Sequence, residues 1–149
     1  MMKTIIYLFM NCIALLSNYN YAYTQNFVAN KQALQMLKEF YSARSTVKFI
    51  VKDSARWDSI QKKYCTQKLI KKAKEWYDDG HDLFTNDWGI DIESLKTMTI
   101  LKDSTKENTY AVLYIVNFQV SPNKREKKKV TLHVGVVEES ENYKITSVN

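Results

Sequence analysis

Two periodicities divide the chain. Between Asn26 and about Tyr77 apolar residues recur every three or four positions, the spacing of a helix face. Ala33, Leu34, Leu37, Phe40 and Tyr41 form one stripe, with Asn30 placed to cap it. Trp57, Ile60 and Tyr64 form a second behind Ser54, and Leu69, Ile70, Ala73, Trp76 and Tyr77 a third between Thr66 and Gly80. Val47 to Val51 reads equally as extended chain or as more of the first helix.

From Leu95 the pattern changes to strict alternation. Tyr110, Val112, Tyr114, Val116, Phe118 and Val120 share one face of a long strand, with Ala111, Leu113 and Ile115 on the other. Such a strand belongs in the middle of a sheet and is covered, at least in part, on both sides. Val130, Leu132, Val134 and Val136 give the next strand its apolar face. Leu95–Lys102 and Tyr143–Val148 read as flanking strands, separated by turns at Asp103–Asn108, Ser121–Asn123 and Glu139–Asn142. Connections this short favour antiparallel pairing. The expected class is α+β: three N-terminal helices packed on a curved four-stranded antiparallel sheet.

The first residues change the setting. Lys3 precedes an apolar run, Thr4–Ser17, and a polar stretch, Asn18–Thr24, that contains the small residue Ala22. That order describes a secretory signal peptide over residues 1–24, and the run is too short for a stable membrane anchor. Cys12 sits inside the run with Asn11 before it, which argues against lipidation. Residues 25–149 then form a single domain, periplasmic or secreted. Losing the leader removes one Lys and no acid, so the formal charge falls from +6 to +5. That mild excess favours an acidic partner, and export argues against nucleic acid. Cys65 becomes the sole thiol, expected as a small buried hydrophobe, so the core must hold the fold without a disulfide.

The segment Lys63-Tyr64-Cys65-Thr66 with Leu69-Ile70, followed by His81-Asp82-Leu83-Phe84-Thr85-Asn86-Asp87, resembles the small exported Gram-negative proteins of the nuclear-transport-factor-2-like (cystatin-like) family. The resemblance implies a cone-like sheet with an acidic loop ahead of it. It also implies a range of roles: some members are enzymes, some bind ligands in the cone, and some are immunity proteins that block a toxin.

The loop from Asp78 to Glu93 is the densest cluster of ionisable groups. It fails the EF-hand template, because the sixth position falls on Leu83 or Asp87 rather than on Gly. Turn formation and capping by Asp and Asn account for most of it. Pocket candidates are His81, Asp82, Asp87, Trp88 and His133, with His133 and Asp82 or Asp87 considered as an acid–base pair. The six aromatic residues Tyr41, Tyr64, Tyr77, Trp57, Trp76 and Trp88 are expected chiefly as core, with a ligand pocket as the alternative. Lys124, Arg125, Lys127, Lys128 and Lys129 crowd one strand turn, as a solvated tip or as a contact for an acidic protein. No catalytic residue, metal or cofactor is assigned. The functional expectation is a non-enzymatic protein-binding domain, with a toxin-neutralising immunity protein as one form. A small-molecule or glycan pocket in the cone is the alternative, and a small enzyme ranks third.

Overall fold

The computed structural model describes residues 30–47 and 52–149. The signal-peptide expectation, and all of the Val47–Val51 stretch except Val47, lie outside those residues. Ala33–Asn149 pack as one compact unit. Helix α1 occupies residues 30–45, α2 is Ser54–Tyr64, α3 Gln67–Asp78 and α4 Ile92–Lys96. Strands β1 (Thr99–Lys102), β2 (Thr109–Ser121), β3 (Lys124–Glu139) and β4 (Asn142–Val148) follow. They pair antiparallel in the order β1-β2-β3-β4, an open meander.

The helical stripes become the buried faces. In α1 these are Ala33, Met36, Leu37, Phe40, Tyr41 and, one turn on, Arg44. Asn30 is already helical, so it is not the cap. Nor does Ser54 cap α2. Asp53 holds that place with φ −106° and ψ 28°, outside the extended region from which a cap reaches inward, and it makes no side-chain cap bond. Thr66 does cap α3, its hydroxyl accepting from the Leu69 N–H at 3.4 Å. The other end of α3 closes on Gly80, at φ +86°. The Gly80 N–H donates to Tyr77 C=O at 2.9 Å and the His81 N–H to Trp76 C=O at 2.8 Å, the paired bonds of a Schellman stop.

The expected strand over Leu95–Lys102 shortens to Thr99–Lys102. Asp91 is the reason. Its Oδ1 accepts from the Ser94 N–H at 2.7 Å and the Ser94 hydroxyl at 2.8 Å, which turns Ile92–Lys96 into the short α4. On β2, Tyr110, Val112, Tyr114 and Val116 are buried against the helices. On its other face Ala111 and Leu113 are half-buried and Ile115 is exposed, so cover on that side is partial.

Trp57 lies at the centre of the core, within 5.4 Å of the Phe84 ring and 6.1 Å of Phe40. Tyr41 and Tyr64 are buried beside it and Tyr77 is partly so. Trp76 and Trp88 depart from the core expectation, at 36% and 38% exposed. Cys65 is free and buried, and burial pushes its thiol up to about 12.

Candidate functional site

Arg44 organises the region between α1 and the loop that follows α3. It stands at the stripe position where α1 enters the core, and only 6% of it is exposed. A guanidinium there needs a partner, because an isolated buried charge is costly. It donates to Val47 C=O at 2.8 Å and to Asp82 Oδ2 at 2.5 Å, and it stacks over the Trp57 ring at 5.1 Å. Asp82 also accepts from the Tyr77 hydroxyl (3.1 Å), the Phe84 N–H (3.0 Å) and the Thr85 hydroxyl (2.7 Å). Burial first, and then the Asp82 charge, push the Tyr77 phenol well above its ordinary value, so it stays a donor. This aspartate is a structural anchor.

Its neighbours complete the loop. Asp87 accepts from the Asp82 N–H at 2.6 Å and pairs with His81 Nδ1 at 2.8 Å, both side chains being about half exposed. Desolvation pulls the Asp87 carboxyl upward. The Asp82 amide and the His81 ring outweigh it and hold the carboxyl below its usual value. Asn86 and Asp87 both take positive φ, at 49° and 65°, a conformation that Asn and Asp tolerate better than most residues. The loop is acidic because its turns require Asp and Asn. Among the described residues no group of three or more His, Cys, Asp or Glu could hold a metal ion.

Beyond this anchor opens a cleft of about 570 Å³. The end of α1 (Arg44–Val47), the segment Trp88–Ile92 with Ser94, and Val116, Asn117 and Phe118 of β2 line it. Trp88 meets Phe118 edge-on at 5.2 Å, and Lys128 Nζ lies 5.3 Å from the Trp88 ring. The mouth is therefore aromatic and cationic. A shallower hollow lies between α1 and α2, lined by charges of both signs that include Lys38, Glu39, Arg56 and Lys63.

The five pocket candidates do not converge. Trp88 lines the cleft, His81 and Asp87 pair on the loop surface, and Asp82 is consumed by Arg44. His133 is on the other side of the sheet. It follows the buried Leu132 and so points away from the helices, where Asp103 is its acidic neighbour at 3.8 Å. The acid–base pair considered for His133 with Asp82 or Asp87 is not made.

The basic tip divides likewise. Lys124 pairs with Glu126 at 2.5 Å and Lys128 covers Trp88, both on the helix side of the ribbon. Arg125, Lys127 and Lys129 share the opposite face, in register with Gln119, Asn117 and Ile115. None of the three is ion-paired among the described residues.

Sequence reasoning missed Arg44 and Phe118 as cleft residues. A signal for Arg44 existed, since it falls three positions after Tyr41 on an otherwise apolar stripe.

No family model matches the chain, and no curated protein matches it. A solved structure does match, that of a protein of unknown function from Bacteroides thetaiotaomicron VPI-5482. It is 21% identical with a TM-score of 0.70, over 85% of this chain and 95% of the other. At that identity the likeness shows the fold.

Proposed function

We propose that the chain is a non-enzymatic protein-binding domain of the nuclear-transport-factor-2-like type. In this reading it is exported from the cytoplasm and neutralises an acidic protein by covering it, as an immunity protein does. One observation carries the reading: alternation along β3 gathers Arg125, Lys127 and Lys129 on one exposed face, free of internal acids among the described residues. Paired cations are already satisfied. Unpaired ones at a strand tip attract a negative surface, speed encounter and select against basic partners. The leader-like pattern at residues 1–24 supports an encounter outside the cytoplasm.

The test is affinity capture from an envelope fraction, with the unaltered chain beside an Arg125→Glu/Lys127→Glu/Lys129→Glu variant. The expected result is an acidic protein retained by the former, lost with the variant and released by salt. If the two baits retain the same proteins at physiological salt, the reading is wrong.

The cleft favours a second reading. Its volume falls within the roughly 300–1,000 Å³ usual for small-molecule pockets, and an aromatic pair sits at its mouth. Thermal shift against a glycan and metabolite panel tests it: a ligand that raises Tm for the unaltered chain but not for Trp88→Ala supports it, and a flat panel removes it.

A further inference from the structure

The β2–β3 ribbon outruns its neighbours. β1 pairs with β2 only over Tyr110–Leu113, and β2 continues to Ser121. Two hydrogen bonds show which backbone groups point where. The Val136 N–H donates to Asn108 C=O on the β3 side, and the Asp103 N–H donates to Thr109 C=O on the β1 side, each at 2.8 Å. Backbone groups alternate along an antiparallel strand, so even-numbered residues of β2 face β3 and odd-numbered ones face β1. Ile115 obeys the rule, its N–H donating to the Thr97 hydroxyl at 2.9 Å. Past Ile115, Asn117 and Gln119 direct their N–H and C=O groups at an edge that no strand of the described residues covers.

Proteins usually guard such an edge with Lys, Pro or a bulge. Here a bulge between Gln119 and Ser121, with Pro122 beyond it, guards only the tip, and Tyr110 to Val120 carries no charged side chain at all. The cleft runs along the same stretch, with Val116, Asn117 and Phe118 on one side and Trp88–Ile92 on the other. The charges stand one strand away. Arg125, Lys127 and Lys129 flank the edge on the helix-free face, and Lys128 flanks it above Trp88.

We infer that the open edge of β2 at Asn117 and Gln119 takes up an extended acidic segment of a protein partner as an added strand. The inference rests on the protein-binding reading above and supplies its mode. Backbone hydrogen bonds to Asn117 and Gln119 give the grip, and the flanking cations choose an acidic chain. A second copy of this chain is the wrong occupant, since edge-to-edge pairing would bring two cationic ribbons together.

The test uses the full chain and a synthetic ten-residue peptide that alternates Val or Thr with Glu. Its twin is N-methylated at alternate residues, which removes the donors on one edge. NMR should show the Asn117 and Gln119 amides slowing in exchange with the peptide, and the twin binding about tenfold more weakly. Gln119→Pro removes one donor from the open side and spares the bonds to β3. It should keep the β2–β3 amides protected and bind the peptide several-fold more weakly.

Equal binding of the two peptides overturns the inference, as does no binding at millimolar concentration. Protection of Asn117 and Gln119 before any peptide is added also overturns it, because the edge is then already occupied by the chain itself or by a second copy. An acidic protein captured through Arg125, Lys127 and Lys129 that leaves both amides unprotected sinks strand addition alone. A failed capture beside protected, peptide-bound amides sinks the protein-neutralising role and leaves the edge assignment supported.

Discussion

At the scale of single residues the decisive pair is Arg44 and Asp82. Their side chains are 8% and 14% exposed, and Asp82 accepts three further hydrogen bonds. Removing one partner strands a buried charge. Asp82→Ala should therefore cost about 3–5 kcal/mol in urea unfolding. The Arg44→Met/Asp82→Leu double variant should lose less than either single change, and a double variant losing their sum would show that the two residues act independently. Cys65 gives a second expectation. With its thiol pushed up to about 12 by burial, it should resist iodoacetamide at neutral pH until urea unfolds the chain, as followed by mass spectrometry. The sequence indicated a buried Cys65 correctly, because a small apolar thiol next to the stripe that ends at Tyr64 packs readily into a core. It did not indicate the Arg44–Asp82 pair, whose members are 38 positions apart.

At the scale of elements, ends were harder to read than faces. The α3 stop was legible because Gly80 can take φ +86° without the clash a Cβ brings. Gly80→Ala should cost about 1 kcal/mol, visible as a lower Tm, although a Cβ there would meet nothing within 4 Å. The α4 start was not legible, since the D-x-x-S signal at Asp91 was outweighed by the apolar alternation after Leu95. The same cap gives a pH dependence. The Ser94 backbone N–H, then its hydroxyl, hold the Asp91 carboxyl below the ordinary 3.8, and Asp87 is likewise lowered. A lowered folded-state pKa stabilises the fold above the unfolded value and is lost as pH falls through the folded one. Acid titration by circular dichroism should therefore show stability flat from about pH 7 to 5 and falling below about pH 4. An Asp91→Asn/Asp87→Asn variant should show a shallower fall.

At the scale of the whole molecule, cooperativity should be uneven. The four-stranded half of the sheet buries Val112, Leu132, Val134, Ile145 and Val148 almost completely. The ribbon from Asn117 to Lys129 is exposed except for Phe118. Native-state hydrogen exchange should find the slowest amides at Val112 and Val134 and fast ones at Asn117, Gln119, Arg125, Lys127 and Lys129, which face no neighbouring strand. Slow exchange throughout the ribbon in the isolated chain would mean that the edge is covered. His133 is kept from the acidic loop at this scale, because strand alternation places it on one face of the sheet and the acidic loop packs against the other.

The sequence by itself determined the fold class, because a 3.6-residue stripe and a two-residue alternation can each bury an apolar face in only one kind of element. It also determined the order of strands, since short connections leave neighbours in sequence as neighbours in space. The tertiary structure alone decided which charges meet. It joined Arg44 to Asp82, separated His133 from the acidic loop, and sorted the basic tip into paired and unpaired cations. It also left one stretch of β2 without a neighbour. Periodicity fixes which way a residue faces along its own element, but contacts between elements follow from packing across distances that no local pattern encodes.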